Sequence, residues 1–289
     1  MKMLLQNYST PLSTEALYLH RCMVESQCDA VFWADTNIST FDIFDASSPD
    51  VFLTHFRFIT QDIMKYLSGS NIEVVLNITG ADNQMTNQIE QEFASRKIKS
   101  KLFFTNTHEL MSPLNKSQTK LINILPGLDI FVPKQNVPPF NLSTCIVTSG
   151  NTDTIKSFTE KEESYHTIGI GTDEKDFDFN IDIASFISIV DRYRKALLVD
   201  DLHVVFSQLF FESTFRCPST ILQVPDNQKE TLNKILATLF HEQEADNISE
   251  AIKGQIKRKH TCFNRTIRLL KAIECTEEAN KVKRLEEQL

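Results

Sequence analysis

Apolar positions along the chain fall into short continuous runs that alternate with longer stretches of helical spacing. Met3-Leu4-Leu5 is the first run, and Tyr8-Ser9-Thr10-Pro11-Leu12-Ser13 separates it from a helical stretch over Thr14 to about Gln27. Ser13 or Thr10 is placed to cap that helix, and Glu15 in its first turn suits the positive end of the dipole. Ala30–Trp33, Val51–Thr54, Glu73–Asn77 and Lys101–Thr105 repeat the run, with helices expected from about Gln61 to Leu67 and from about Gln84 to Arg96. Continuous apolar runs of this length read as strands buried on both faces, and their alternation with helices predicts βαβ units around a parallel sheet.

Lys120 to Leu125 ends the first series, and the prolines then cluster in Pro133-Lys134-Gln135-Asn136-Val137-Pro138-Pro139, which reads as an interdomain linker. The rhythm restarts beyond it. Strands are expected at Thr144–Thr148, Tyr165–Ile170, Ala196–Val199 and Thr220–Val224, helices at Ile183–Tyr193 and Ser207–Phe215, and helix throughout from Asp226. The fold class predicted is α/β: two Rossmann-like open parallel-sheet domains, residues 1–136 and 137–289, facing each other across a cleft, with a helical C-terminus.

Composition narrows the function. With 41% hydrophobic and 24% charged residues the chain has ordinary globular usage, which excludes a disordered scaffold. No apolar run approaches the roughly 20 residues that span a bilayer. The start, Met1-Lys2-Met3-Leu4-Leu5-Gln6, turns polar too soon for a secretory signal, so a cytoplasmic protein is expected. A net charge of −8 argues against a nucleic-acid binder, which needs a basic face for phosphates. The charge is uneven: from Ser249 to Leu289 ten Lys/Arg face six Asp/Glu, leaving about −12 for the rest. Lys253, Lys257, Arg258, Lys259, Arg265, Arg268 and Lys271 follow helical spacing there, which suits a solvated helix face or, as a second reading, an anionic membrane surface or protein partner. Six cysteines without a Cys-x-x-Cys pair point to reduced structural thiols rather than zinc. The chain has 7 glycines and no Gly-x-Gly-x-x-Gly, which removes a nicotinamide enzyme from consideration.

In open parallel sheets ligands bind beyond the carboxyl ends of the strands, so the residues that follow each run are the candidates for chemistry. In the first half these are Ser9, Thr10 and Ser13; His55 and Arg57; Asn77, Thr79 and Gly80; and Thr105 with Asn106. In the second they are Thr148, Ser149 and Gly150; Gly169 and Gly171; Asp200 and Asp201; and Ser207 with Gln208. His55 leaves a buried strand at the rim, where an imidazole is either a general base for a hydroxyl or a hydrogen-bonding brace for a neighbouring loop. Ser207-Gln208 opens a helix whose free N–H groups suit a phosphate, and Glu212 lies further along the same helix, in reach of a sugar or ribose hydroxyl. Ser149-Gly150 is a second phosphate-loop candidate. His166 and His203 stay ambiguous, and no spacing among the seven histidines makes a metal site.

The segment Ser207-Gln208-Leu209-Phe210-Phe211-Glu212-Ser213-Thr214-Phe215-Arg216-Cys217-Pro218-Ser219-Thr220, preceded by the helix Ile183–Tyr193 and the strand Ala196–Val199, resembles the donor site of GT-B glycosyltransferases. Lys259-His260-Thr261-Cys262-Phe263-Asn264-Arg265-Thr266 resembles the His-Thr-Tyr-x-x-Arg ending of bacterial spore-maturation-type members, and Asp50-Val51-Phe52-Leu53-Thr54-His55 is similar to their acceptor domain. The resemblance implies transfer of a sugar from a nucleotide-sugar donor to a hydroxyl on a glycan, a lipid-linked glycan or a protein. It implies a donor site at Ser149, Gly150, Gly169, Ser207, Gln208 and Glu212, and an acceptor site at Ser9, Thr10, Ser13, Arg57, Asn77 and Thr79. His55 would be the base or an acceptor-orienting residue. No cofactor or bound metal is implied, since helix dipoles and polar side chains stabilise the leaving diphosphate. The alternative is a non-catalytic GT-B-like partner or scaffold subunit, suggested by the scarcity of glycine and by Thr220, which stands where retaining members carry a second Glu. A different α/β enzyme, such as a sugar epimerase or nucleotide hydrolase, is the third reading.

Overall fold

A computed structural model describes residues 1–7, 15–34, 37–105, 119–124, 144–148, 165–170, 177–181, 192–193, 195–200 and 220–225, isolated helical positions at 189 and between 247 and 255, and 258 to the end. At 15, 148, 181, 199–200 and 220–225 it describes the backbone alone. The chain forms two compact units, Met1–Gly127 together with Cys262–Leu289, and Leu128–Thr261.

The first unit is built on a parallel sheet of β1 (Lys2–Gln6), β2 (Asp29–Trp33), β3 (Val51–His55), β4 (Glu73–Asn77), β5 (Lys99–Thr105) and β6 (Lys120–Asn123), in the order β2-β1-β3-β4-β5-β6. Met3, Leu4, Leu5, Phe52, Leu53, Val74, Val75, Leu76, Leu102, Phe103 and Phe104 are at most 1% exposed, so β1, β3, β4 and the carboxyl half of β5 are covered on both faces, whereas the edge strands β2 and β6 are only partly buried. Burial of whole strands removes backbone groups from water, and the ladder hydrogen bonds offset that cost. Four helices connect the strands: α1 (Glu15–Glu25), α2 (Thr40–Ser47), α3 (Gln61–Ser68) and α4 (Asn83–Ser95). Phe44 of α2, Ile63 and Leu67 of α3 and Phe93 of α4 share one core with Leu4, Phe52, Val74, Leu76 and Phe103. Phe44 meets Phe52 edge-on at 4.9 Å between ring centroids, an arrangement that adds to the burial of both rings.

Three of these helices start where a side chain caps them. Ser39, Thr60 and Asp82 each accept a backbone N–H from the third residue on, Asp42, Ile63 and Met85. The apolar spacing did not single out α2. Its signal was the Ser39-Thr40-Phe41-Asp42 pattern, an N-cap with an acid in the first turn.

The helical tail departs from the sequence expectation, which placed it in the second domain. Cys262–Leu289 pack on the first unit as α5 (Cys262–Ala272) and α6 (Thr276–Glu286), and α5 lies against α1. The reason is a stripe on α5: Cys262, Phe263, Thr266, Leu269 and Leu270 recur at helical spacing, and all are at most 1% exposed. Polar contacts tie the tail further, from Lys120 Nζ to the Ala272 carbonyl at 3.2 Å and from Lys101 Nζ to Glu274 at 3.7 Å. Of the basic residues on this helix, Arg268 and Lys271 are exposed, whereas Arg265 is buried.

The second unit holds a parallel sheet of β7 (Thr144–Thr148), β8 (His166–Ile170), β9 (Phe179–Ile181), β10 (Lys195–Asp200) and β11 (Thr220–Pro225). Its order is β11-β10-β7-β8-β9, with every pairing parallel. Strand β9, three residues long at the sheet edge, is too short to stand out in the apolar pattern. The proline cluster at 133–139, the helix expected at 207–215 and most of the one expected at 183–193 lie outside the described residues.

Candidate functional site

Both sheets have a switch point. In the first, the chain leaves β1 toward β2 on one side and returns past β1 to β3 on the other, so the crevice opens between the carboxyl ends of β1 and β3. In the second, the same reversal falls between β7 and β10, at Thr148 and Asp200. The first switch point carries described side chains. There Thr54 Oγ1 donates to Gln6 Oε1 across the two strands at 2.5 Å, and both residues are buried. This bond satisfies two polar groups that the sheet takes out of water.

His55 ends β3 and leads into a single 3₁₀ turn, Phe56–Phe58. Its Nδ1 accepts the Arg57 backbone N–H at 3.2 Å, and its Nε2 lies 3.2 Å from the Thr79 carbonyl oxygen. A ring that accepts at Nδ1 carries its proton at Nε2, so Nε2–H donates to Thr79. Burial pushes the imidazole down to about 4; the Thr79 bond opposes that shift, and the Arg57 charge adds to it. His55 is therefore neutral at pH 7, with both nitrogens engaged. Accepting a proton at Nδ1 would require release of the Arg57 N–H. Of the two roles read from sequence, this geometry supplies the contacts of a brace between the ends of β3 and β4.

The end of β4 is fixed by its own side chains. Asn77 Oδ1 accepts the Thr79 N–H at 2.9 Å and the Thr79 hydroxyl at 2.6 Å, a closed turn of the kind Asn forms readily. Gly80 follows with φ of +82°, a left-handed conformation that glycine adopts without the penalty of a side chain. Beside it lies the Arg57 guanidinium: a Cβ on Gly80 would sit 3.6 Å from Nη2. Arg57 Cζ is 5.5 Å from the centroid of the Phe56 ring. The structure thus brings His55, Arg57, Asn77, Thr79 and Gly80 into one constellation, and adds the Gln6–Thr54 pair. Sequence reasoning missed Gln6, whose signal was a polar residue closing the run Met3-Leu4-Leu5.

Other candidates stand apart. Gly169 lies in the body of β8, paired with Thr148 and Asn180. His166 sits at the opposite, amino end of that strand, with Nδ1 2.6 Å from the Tyr193 hydroxyl. Ser9, Thr10, Ser13, Asn106, Ser149, Gly150, Gly171, Asp201, His203, Ser207, Gln208 and Glu212 lie outside the described residues. Among the described residues no group of three His, Cys, Asp or Glu side chains is placed to hold a metal ion, and no helix is long and apolar enough to cross a membrane. The cysteines described, Cys22, Cys28, Cys145, Cys262 and Cys275, carry free thiols.

No protein-family model matches the chain, and no curated protein matches its sequence. Solved structures do match. A glycosyltransferase from Rickettsia africae ESF-5 superposes with a TM-score of 0.60 at 10% identity, over 95% of this chain and 98% of that one. The spinosyn rhamnosyltransferase SpnG complexed with thymidine diphosphate gives 0.44 at 10% identity, over 99% and 100% of the two chains. MurG of Acinetobacter baumannii gives 0.43 at 9% identity, over 95% and 99%. The first of these carries the comparison. The chain has the GT-B glycosyltransferase fold, two parallel α/β units with a helical C-terminus. The resemblance read from the sequence is borne out at the level of fold.

Proposed function

We propose that the chain is a glycosyltransferase that moves a sugar from a nucleotide-sugar donor to a hydroxyl acceptor, on a glycan, a lipid-linked glycan or a protein. The observation that carries this reading is a GT-B fold over nearly the whole chain, with a polar constellation at the carboxyl ends of β3 and β4, beside the switch point of its first sheet. In this reading the first unit takes the acceptor through Ser9, Thr10, Ser13, Arg57, Asn77 and Thr79. The second takes the donor through Ser149, Gly150, Gly169, Ser207, Gln208 and Glu212, with the diphosphate at Ser207-Gln208 and no metal required. His55 orients the acceptor side by holding Thr79 and the Arg57 backbone, as its hydrogen bonds suggest.

The engagement of both His55 nitrogens also favours a second reading, a non-catalytic GT-B-like partner subunit. A thermal-shift panel of nucleoside diphosphates tests the donor site. A ligand at about 100 times its dissociation constant stabilises by roughly 2.7 kcal/mol. For a chain of this size that raises the midpoint by about 5–10 °C. A shift with one base and not the others is expected, and Glu212→Gln should reduce it. No shift with any nucleoside diphosphate contradicts the transferase reading.

A further inference from the structure

Arg57 and Asp82 are the charged side chains, among the described residues, that directly follow strands of the first sheet. Their commitments differ. Asp82 Oδ1 accepts the Met85 N–H at 2.7 Å and is spent on capping α4. The Arg57 backbone is tied by its N–H to His55, and its guanidinium lies over the Phe56 ring, with Nη2 bordering the space that a side chain on Gly80 would take. No carboxylate among the described residues lies within ion-pair distance of that guanidinium, and it is exposed. Holding a long side chain in place costs conformational entropy, and the contact with the Phe56 ring offsets part of it before any ligand arrives. The result is a pre-positioned planar fork of N–H donors, at the edge where parallel sheets take their ligands.

We infer that Arg57, set on Phe56 beside the Gly80 turn, binds an anionic group of the acceptor, a phosphate or a carboxylate. That the anion belongs to an acceptor rests on the transferase reading; the anion site itself does not. The neighbouring groups agree with this. His55 is neutral and adds no competing charge, and the Thr79 hydroxyl is already donated to Asn77, so of these neighbouring side chains the guanidinium is the one that offers donors to an anion. A neutral acceptor would leave it without a partner.

Glycine-selective ¹⁵N labelling of the full chain gives an amide spectrum of 7 glycines, with Gly80 as the reporter beside Arg57. Inorganic phosphate and acetate are titrated separately at constant ionic strength, with chloride as the control. The Gly80 resonance is expected to move along a saturating curve with at least one of them, and the stronger of the two tells phosphate from carboxylate. Loss of a charge-assisted contact predicts roughly tenfold or greater weakening in Arg57→Gln. Arg57→Lys retains the charge and should retain part of the binding. Because Arg57 is exposed, the other glycine resonances should keep their positions in both variants and so report an intact fold. A Gly80 resonance that does not move, or that moves equally in Arg57→Gln, overturns the inference. Nucleoside diphosphates added to the same sample separate the two claims. Binding of a nucleotide with Gly80 silent to phosphate and acetate removes the anion site and leaves the transferase reading standing. The reverse pattern keeps the anion site and removes its assignment to an acceptor.

Discussion

Lowering the pH from 7.5 to 4.5 should weaken the first unit through His55. In the folded chain the imidazole titrates at about 4 against an ordinary value of 6.5. Between those values the unfolded chain binds the proton and the folded chain does not, so stability falls as the pH falls. The contribution is complete above pH 6.5 and is lost progressively down to about pH 4. Integrating over that window to pH 4.5 gives an upper limit of about 2.5 kcal/mol, which partial solvent screening reduces to about 1–2 kcal/mol. The protonated ring must also give up Nδ1 as an acceptor for the Arg57 N–H, in a corner where the guanidinium already opposes positive charge. Urea unfolding followed by fluorescence reads this directly: Trp33 is the single tryptophan, is 5% exposed, and lies in the same unit. His55→Gln supplies the comparison, since it cannot titrate. At pH 7.5 the variant should be less stable by about 1–2 kcal/mol through its lost hydrogen bonds. At pH 4.5 that difference should nearly vanish. A wild-type chain and variant that lose the same stability between the two pH values would show that His55 is not held neutral by its surroundings.

Two substitutions probe the frame around the site. Leu269→Ala on α5 removes a side chain that is 1% exposed and should cost about 2–5 kcal/mol. The loss should appear in the Trp33 transition, whereas a tail folding with the other unit would leave that transition unchanged. Gly80→Ala forces an L side chain into φ of +82°, and should cost about 1–2 kcal/mol although the Cβ itself has room. Thermal unfolding checks it, and an unchanged midpoint would mean that the β4–α4 turn has other conformations open to it.

Much of the first unit was legible because its central strands are short and have uninterrupted apolar centres. β1, β3 and β4 announce themselves as Met3-Leu4-Leu5, Val51-Phe52-Leu53 and Val74-Val75-Leu76 with no polar interruption. Helix α2 was not legible from periodicity, since it is eight residues long and is held by its Ser39 cap and by Phe44 in the core, a tertiary contact. The apolar stripe of α5 could be seen in the sequence, but a stripe does not name the surface that covers it. The site shows the same division. A rim position for His55 follows from counting along β3. Its partners do not, because Thr79 lies 24 residues on and reaches His55 only through the β3–β4 pairing, in which His55 stands opposite Asn77. That no described carboxylate pairs with Arg57 is likewise a property of the folded edge and not of its neighbours in sequence.

The most direct test of the proposed activity is release of nucleoside diphosphate from nucleotide sugars by the purified chain. Each candidate donor is incubated with a detergent-solubilised extract of cell glycans and lipids as the acceptor pool, and without it. A transferase predicts release from one nucleotide sugar, accelerated by the pool, and lower with Arg57→Gln and with Glu212→Gln. Absence of release from every nucleotide sugar, by a folded chain supplied with acceptors, would contradict the account and leave the non-catalytic partner as its replacement.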